Sequence, residues 1–160
     1  MSNSIYNKTM NKIYISHRGN INGPNPEYEN TPDYIISAIK KGFDVEIDVR
    51  VCKKNKWWLG HDEGSVNIDL SFFLEYKQHL WCHAKNLSAL ENLLNIKATC
   101  LWHQNDYYTL TSNGYIWTYP GYSIGSQSIW VLPEKCSLEY HQVYFENCAG
   151  ICSDYIGDYQ

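Results

Sequence analysis

Hydrophobic and polar positions alternate most strictly over residues 43–49. Phe43, Val45, Ile47 and Val49 fall on one face of an extended chain, and Asp44, Glu46 and Asp48 on the other. A period of two with one apolar face marks a strand. Shorter apolar runs at 13–16, 56–60, 80–84, 99–103, 115–119, 128–132 and 150–153 bring the predicted strands to eight. Helix signals fall between several of them. Thr31 stands at an N-cap position with Pro32 as the first helical residue. Tyr34, Ile35, Ala38 and Ile39 then form an apolar stripe that Gly42 ends. Residues 70–79 predict a second helix, 87–94 a third capped by Asn86, and 137–147 a fourth before the last strand. Segments 104–114 and 120–127 are short and rich in turn residues and predict one helical turn each, and 53–56 predicts a tight turn. No repeat, low-complexity tract or linker interrupts the chain, so 1–160 reads as a single domain.

Strands alternating with helices, eight strands in all, predict an α/β fold: a minimal (β/α)8 TIM-type barrel. Such barrels usually run to about 200 residues or more. With 160 residues, several outer helices must be shortened or missing. Homo-oligomerisation or surplus aromatic side chains would then cover the exposed strand faces. The 14 tyrosines and 6 tryptophans are many for the length and place some rings at a surface, a ligand mouth or an interface. Trp102, Trp117 and Trp130 read as core or rim packing, with a cage for a quaternary ammonium group as the alternative.

Composition narrows the classes. Hydrophobic residues at 44% and charged residues at 19% describe a globular chain. A net charge of −4 argues against a nucleic-acid partner, which needs a basic face. It does not oppose a phosphate ligand, because a bound metal supplies local positive charge. No stretch approaches the roughly 20 apolar residues of a membrane span. The opening residues lack the apolar core of a signal peptide, so the expected location is cytoplasmic. Cys52, Cys82, Cys100, Cys136, Cys148 and Cys152 show no framework spacing and read as reduced core thiols. Cys148-x-x-x-Cys152 has no second pair to complete a zinc site.

The candidate chemistry lies at strand ends. His17-Arg18-Gly19 closes the first strand, Glu29-Asn30-Thr31 precedes the first helix, Glu46-Ile47-Asp48 sits in the second strand, and His61-Asp62 follows the third. His83, His103 and Asp154 also fall at or near strand ends. Parity puts Glu46 with Asp48, Trp57 and Leu59 with His61, and Trp81 with His83 and Lys85. In a barrel these groups converge on one mouth. Taken alone, Glu46 and Asp48 fit the wet face of an ordinary antiparallel strand better, and the neighbouring motifs reverse that preference. His79 and His141 read as surface residues of helical segments.

The motifs H-R-G, E-N-T, E-x-D and H-D, in this order and at these spacings, resemble the glycerophosphodiester phosphodiesterase family. The likeness covers residues 14–62 well and the remainder loosely. It implies that His17 and His61 form an acid–base pair and that Arg18, with Lys85, grips the substrate phosphate. It also implies that Glu46 and Asp48 ligate Mg²⁺ or Ca²⁺, with Glu29 as a further carboxylate near the metal. Where the family carries E-x-K on the fourth strand, this chain reads His83-Ala84-Lys85. His83 as a ligand shifts the preference toward Mn²⁺ or Zn²⁺. Cys152-Ser153-Asp154-Tyr155 resembles the family's last strand. The implied activity is metal-dependent hydrolysis of a small phosphodiester to a phosphomonoester and an alcohol. Family analogy also allows a substrate hydroxyl as nucleophile and a cyclic phosphate before water opens it. The alternatives are a phospholipase-D-like lyase acting on a lysolipid and a degenerate relative that binds a phosphate-containing ligand without turnover.

Overall fold

The alternating segment around Glu46 is the strand that the sheet is built on. The computed structural model describes residues 12–160. In chain order its elements are β1 (Ile13–His17), α1 (Pro32–Lys40), β2 (Asp44–Cys52), β3 (Lys56–Leu59), β4 (Val66–Ile68), α2 (Leu70–Tyr76) and β5 (Leu80–Ala84). There follow α3 (Leu87–Asn95), β6 (Thr99–Leu101), β7 (Tyr108–Leu110), β8 (Ile116–Thr118), β9 (Ser128–Val131), α4 (His141–Asn147) and β10 (Gly150–Ser153). Strands β6, β5, β2, β1, β10, β9 and β8 lie side by side in that order and run parallel. The hairpin strand β3 pairs antiparallel with β2, β4 with β3, and β7 with β8.

The expected helix-rich (β/α)8 barrel is not formed. The chain makes a curled mixed sheet of ten strands, a half-barrel, with only four short helices among the described residues. Two local causes account for the difference. The link at Lys53–Asn55 is three residues long, whereas a parallel crossover takes a dozen or more. The third predicted strand must therefore turn back on β2 as a hairpin. The predicted helical turn in 104–114 is instead strand β7, which meets β8 across the Asn113-Gly114 turn, a dipeptide suited to tight hairpins. Segment 120–127 forms turns without a helix. No α-helix lies in the chain between β6 and β9.

The sheet has two differently dressed faces. On the convex face Val45, Ile47 and Val49 pack with Leu80 and Cys82 under Ile35 and Ala38 of α1, Phe73 of α2 and Leu93 of α3. Trp130 and Ile151 pack there with Phe43 and Ile156, next to Tyr144 and Phe145 of α4. The concave face has an apolar floor of Ile15, Trp81, Leu101, Trp117, Ile129 and Cys152. Cys82, Cys100, Cys148 and Cys152 are buried free thiols, Cys136 is partly exposed and Cys52 exposed. Among the described residues no helix is long and apolar enough to cross a membrane.

Asn86 ties a helix to the central strand. Its side chain accepts from Ala89 N as an N-cap of α3 and from Val51 N, and it donates to Val51 O. Removing a cap and two strand contacts at once sets the expected cost of Asn86→Ala at about 2 kcal/mol in urea unfolding. A loss under about 0.5 kcal/mol would show that both contacts are replaceable.

Candidate active site

Above the apolar floor the same strands present polar ends. His17 ends β1, Glu46 and Asp48 stand in the middle of β2, His83 in β5, and Asp154 follows β10. Register brings them together, since His17 pairs with Glu46 and Asp48 with His83 across neighbouring strands. All of these except the fully buried Asp48 border a cavity of about 700 Å³ whose wall includes His17, Arg18, Glu46, His83, His103 and Asp154.

Asp48 is fully buried and surrounded by cations and donors. Its Oδ2 lies 3.0 Å from Arg18 Nε and accepts from Asn30 Nδ2 at 3.0 Å, while its backbone N–H donates to Asn30 Oδ1. Its Oδ1 faces His83 Nδ1 at 3.3 Å and Lys85 Nζ at 3.5 Å. Burial alone would raise its pKa. The His83 hydrogen bond and the charges of Arg18, His83 and Lys85 overcome that and hold it well below the usual carboxylate range. Glu46 is the opposite case. Burial and the neighbouring Asp48 charge push its pKa up, offset only in part by His17, Arg18 and His83. Its Oε2 is buried without a hydrogen-bond partner; His17 Nε2 stands 3.8 Å from Oε2 and His83 Nδ1 3.9 Å from Oε1.

Glu46, Asp48 and His83 each offer one ligand atom, all within 4.8 Å of one another, so the cluster can hold a metal ion. The donor set fits a cation on two grounds. Glu46 Oε2 is a buried atom without a hydrogen-bond partner, and an ionised buried oxygen needs a counter-charge. In addition, His83 Nε2 lies 2.9 Å from His103 O, which makes Nε2 the protonated nitrogen. Nδ1 then faces the two carboxylates, and with a cation bound the neutral ring would offer it the Nδ1 lone pair, as a ligating imidazole does when a carbonyl fixes its tautomer.

Both histidines of the H-R-G and H-D motifs are oriented by a carboxylate on Nδ1. His17 Nδ1 lies 2.6 Å from Asp154 Oδ1, and His61 Nδ1 lies 2.7 Å from Asp62 Oδ1. In each ring Nε2 is left for proton transfer. The two differ in setting. His17 is on a parallel strand and largely buried. His61 belongs to the loop after the antiparallel strand β3 and is 46% exposed, on the rim of the same cavity. Trp57 and Leu59, expected on the same inward face as His61, belong to the convex-face core instead. The expected strand-end placement of His61 is therefore corrected to a loop placement. Gly60 permits that loop, having φ +143 and no room for a Cβ against Glu63 O. Arg50 clamps it by donating to the carbonyls of Gly60, His61 and Asp62 at 2.6, 3.0 and 2.8 Å.

The remaining expected residues occupy distinct places. Glu29 lines the cavity but lies outside the metal-type trio. It accepts from Asn20 Nδ2 at 2.8 Å and pairs with Arg18 at 3.3 Å. Lys85 stands against Asp48 and is not part of the cavity wall. Arg18 and Asn30 both have left-handed backbones, with φ 55 and 59, a conformation non-glycine residues hold where the surroundings impose it. Gly19 follows at φ +96, and a Cβ there would lie 2.5 Å from Tyr34 Cδ1. Three supporting residues carry no signal in the motif spacing: Asn20, which donates to both Glu29 and Asp154; Arg50; and Glu134, which accepts from Ser153 Oγ and Asp154 N.

The His17–Asp154 pair has a defined pH signature. Burial would lower the His17 pKa, but the Asp154 hydrogen bond and the Glu46 charge raise it above its ordinary value. Burial would raise Asp154, but the hydrogen bond and charge of His17 lower it. The His17 contribution to stability is complete below about pH 6.5 and lost as pH rises through the raised value. The Asp154 contribution is present above about pH 4 and lost as pH falls through the depressed value. Asp154→Asn is therefore expected to destabilise most between about pH 4 and 6.5, and to lower the His17 midpoint in an NMR titration. An unchanged midpoint would remove Asp154 as the orienting group. No family model, curated protein or solved structure matches the chain.

Proposed function

We propose that the protein is a metal-dependent phosphodiesterase that hydrolyses a glycerophosphodiester or similar small phosphodiester to a phosphomonoester and an alcohol. The observation that carries this is Glu46: a buried carboxylate with an unpartnered oxygen, grouped with Asp48 and His83 beside His17 and Arg18 on one cavity. The motif resemblance over residues 14–62 supplies the reaction class. Glu46, Asp48 and His83 are the residues that would hold the cation. Two carboxylates suit Mg²⁺ or Ca²⁺, and the imidazole adds affinity for Mn²⁺. Bound there, a divalent cation supplies positive charge against that developing on the phosphoryl oxygens.

The chain's own groups divide the remaining work. Arg18, fixed by Asp48 and Glu29, presents its guanidinium to a phosphate oxygen. His17, held by Asp154, exchanges a proton at Nε2 on the buried side of the cavity. His61, held by Asp62, does so from the loop side. One member takes the proton of the attacking oxygen and the other donates to the departing alcohol. A second reading has one observation in its favour. Asp48 is already surrounded by Arg18, His83 and Lys85, so its charge is balanced without a cation. In a binding relic of this kind Arg18 would hold a phosphate with no turnover.

Release of glycerol 3-phosphate from glycerophosphocholine and glycerophosphoethanolamine, with Mg²⁺, Ca²⁺ or Mn²⁺ against EDTA, separates the two. The expected outcome is metal-dependent release, lowered about 10²–10⁴-fold in His17→Ala and His61→Ala with the fold intact by circular dichroism. Glu46→Gln is expected to weaken Mn²⁺ binding roughly tenfold or more in calorimetry. A folded wild type that releases nothing under any of these metals would favour the binding relic.

A further inference from the structure

Building on the phosphodiesterase proposal, the shape of the site also constrains the substrate's two arms. The cavity of about 700 Å³ adjoins a second one of about 420 Å³. Both are lined by Arg18, Pro26, Glu29 and His61, which stand between them as a shared wall. Arg18, assigned to phosphate binding, and His61, one of the two proton-transfer residues, thus occupy the junction of two spaces, and a diester seated there has one arm for each.

The two spaces differ in chemistry. In the larger, the lining outside the metal-type trio includes His103 beside His83, then Trp117, Tyr119, Pro120, Val131 and Leu132, with Lys135. Its aromatic lining continues outward. His103 lies 5.9 Å from His83, Tyr119 lies 5.5 Å from His103, Tyr122 lies 6.4 Å from Tyr119, and Tyr107 stacks on Tyr122 at 4.0 Å. A ladder of rings therefore runs from the trio to the surface. Tyr119 is 47% exposed and Tyr107 57% exposed, which is a large apolar outlay for a water-facing rim unless something flat lies on it. The smaller space is lined instead by Asn30, Asp62, Glu63 and Ser65 beyond the shared wall. It offers hydrogen-bonding and acidic groups and, apart from the shared His61, no aromatic ring.

We propose that the substrate is an unsymmetrical phosphodiester, with one arm carrying a flat aromatic ring that lies against Tyr119 over the Trp117–Leu132 floor, and a small polar arm in the acid-lined space. The ring belongs to a simple aryl alcohol or to a nucleoside; both share the stacking surface that tyrosine recognises. Tyr119 is then the specificity-determining residue, acting on binding of the arm and not on the proton transfers.

Calorimetric titration of the Mn²⁺-supplied protein with phenyl phosphate, adenosine 5′-monophosphate and glycerol 3-phosphate tests this without requiring turnover. At least one aromatic ester is expected to bind about tenfold or more tightly than glycerol 3-phosphate. Which of the two is preferred separates an aryl from a nucleoside arm. Tyr119→Ala is expected to remove most of that preference, with glycerol 3-phosphate affected far less, and Tyr119→Phe to retain it. Equal affinities, a preference for glycerol 3-phosphate, no binding of any of the three, or an equal loss for all three in Tyr119→Ala would overturn the proposal. Tyr119-dependent aromatic binding with no turnover of any diester would defeat the phosphodiesterase reading alone. Turnover of glycerophosphodiesters without aromatic preference would defeat the aromatic-arm proposal alone.

Discussion

Two carboxylates two residues apart on one face of β2, both removed from water, set the terms for everything around them. Like charges in a low-dielectric interior repel strongly, and neither group tolerates burial without compensation. The chain resolves this unequally. Asp48 receives Arg18, Asn30, His83 and Lys85, and its pKa falls; Glu46 receives no hydrogen bond on Oε2, and its pKa rises. The unsatisfied Glu46 oxygen is the feature on which the proposed cation site rests.

The neighbouring backbone is shaped to meet that demand. Arg18 and Asn30 reach Asp48 from left-handed conformations, and the two segments are held to each other by the Asn30 N–H donating to Arg18 O. Asn20 and Glu134 then brace Asp154, which in turn orients His17. On the far side of the cavity, Arg50 extends from β2 itself to grip the carbonyls around His61. Both histidines are thus referenced to the same strand, one through a parallel neighbour and one through a hairpin. That shared reference fixes the His61 loop relative to the buried carboxylates.

The economy of the fold lies in the half of the sheet that lacks helices. Between β6 and β9 the chain uses a hairpin and turns, and Ser112 stitches the hairpin to β6 by donating from N to Cys100 O and accepting from Cys100 N on Oγ. In the absence of helices there, His103, Tyr119 and the tyrosines beyond them form the cavity's outer wall. Five of the 14 tyrosines, Tyr107, Tyr108, Tyr115, Tyr119 and Tyr122, fall in this helix-free stretch.

Much of this was legible in the chain. The alternation around Glu46 determined which side chains share a face, because the strand period of two is local backbone geometry. Pro32, Asn86 and Gly42 marked helix ends through equally local effects, although the Thr31 hydroxyl donates to Tyr28 O and leaves the α1 cap unbonded. The eight predicted strands all form. Their directions were not legible. Apolar alternation does not encode whether a neighbour runs parallel or antiparallel, and the short 53–55 link and the Asn113-Gly114 turn reversed β3 and β7. The motifs identified Glu46, Asp48 and His83 as candidates for one cluster, and parallel register between β2 and β5 brings them together. The places of Glu29, Lys85 and His61, and the bracing by Asn20, Arg50 and Glu134, were settled only in three dimensions. Each depends on which loops close over which strand ends, and that is a property of long-range packing that no local spacing contains.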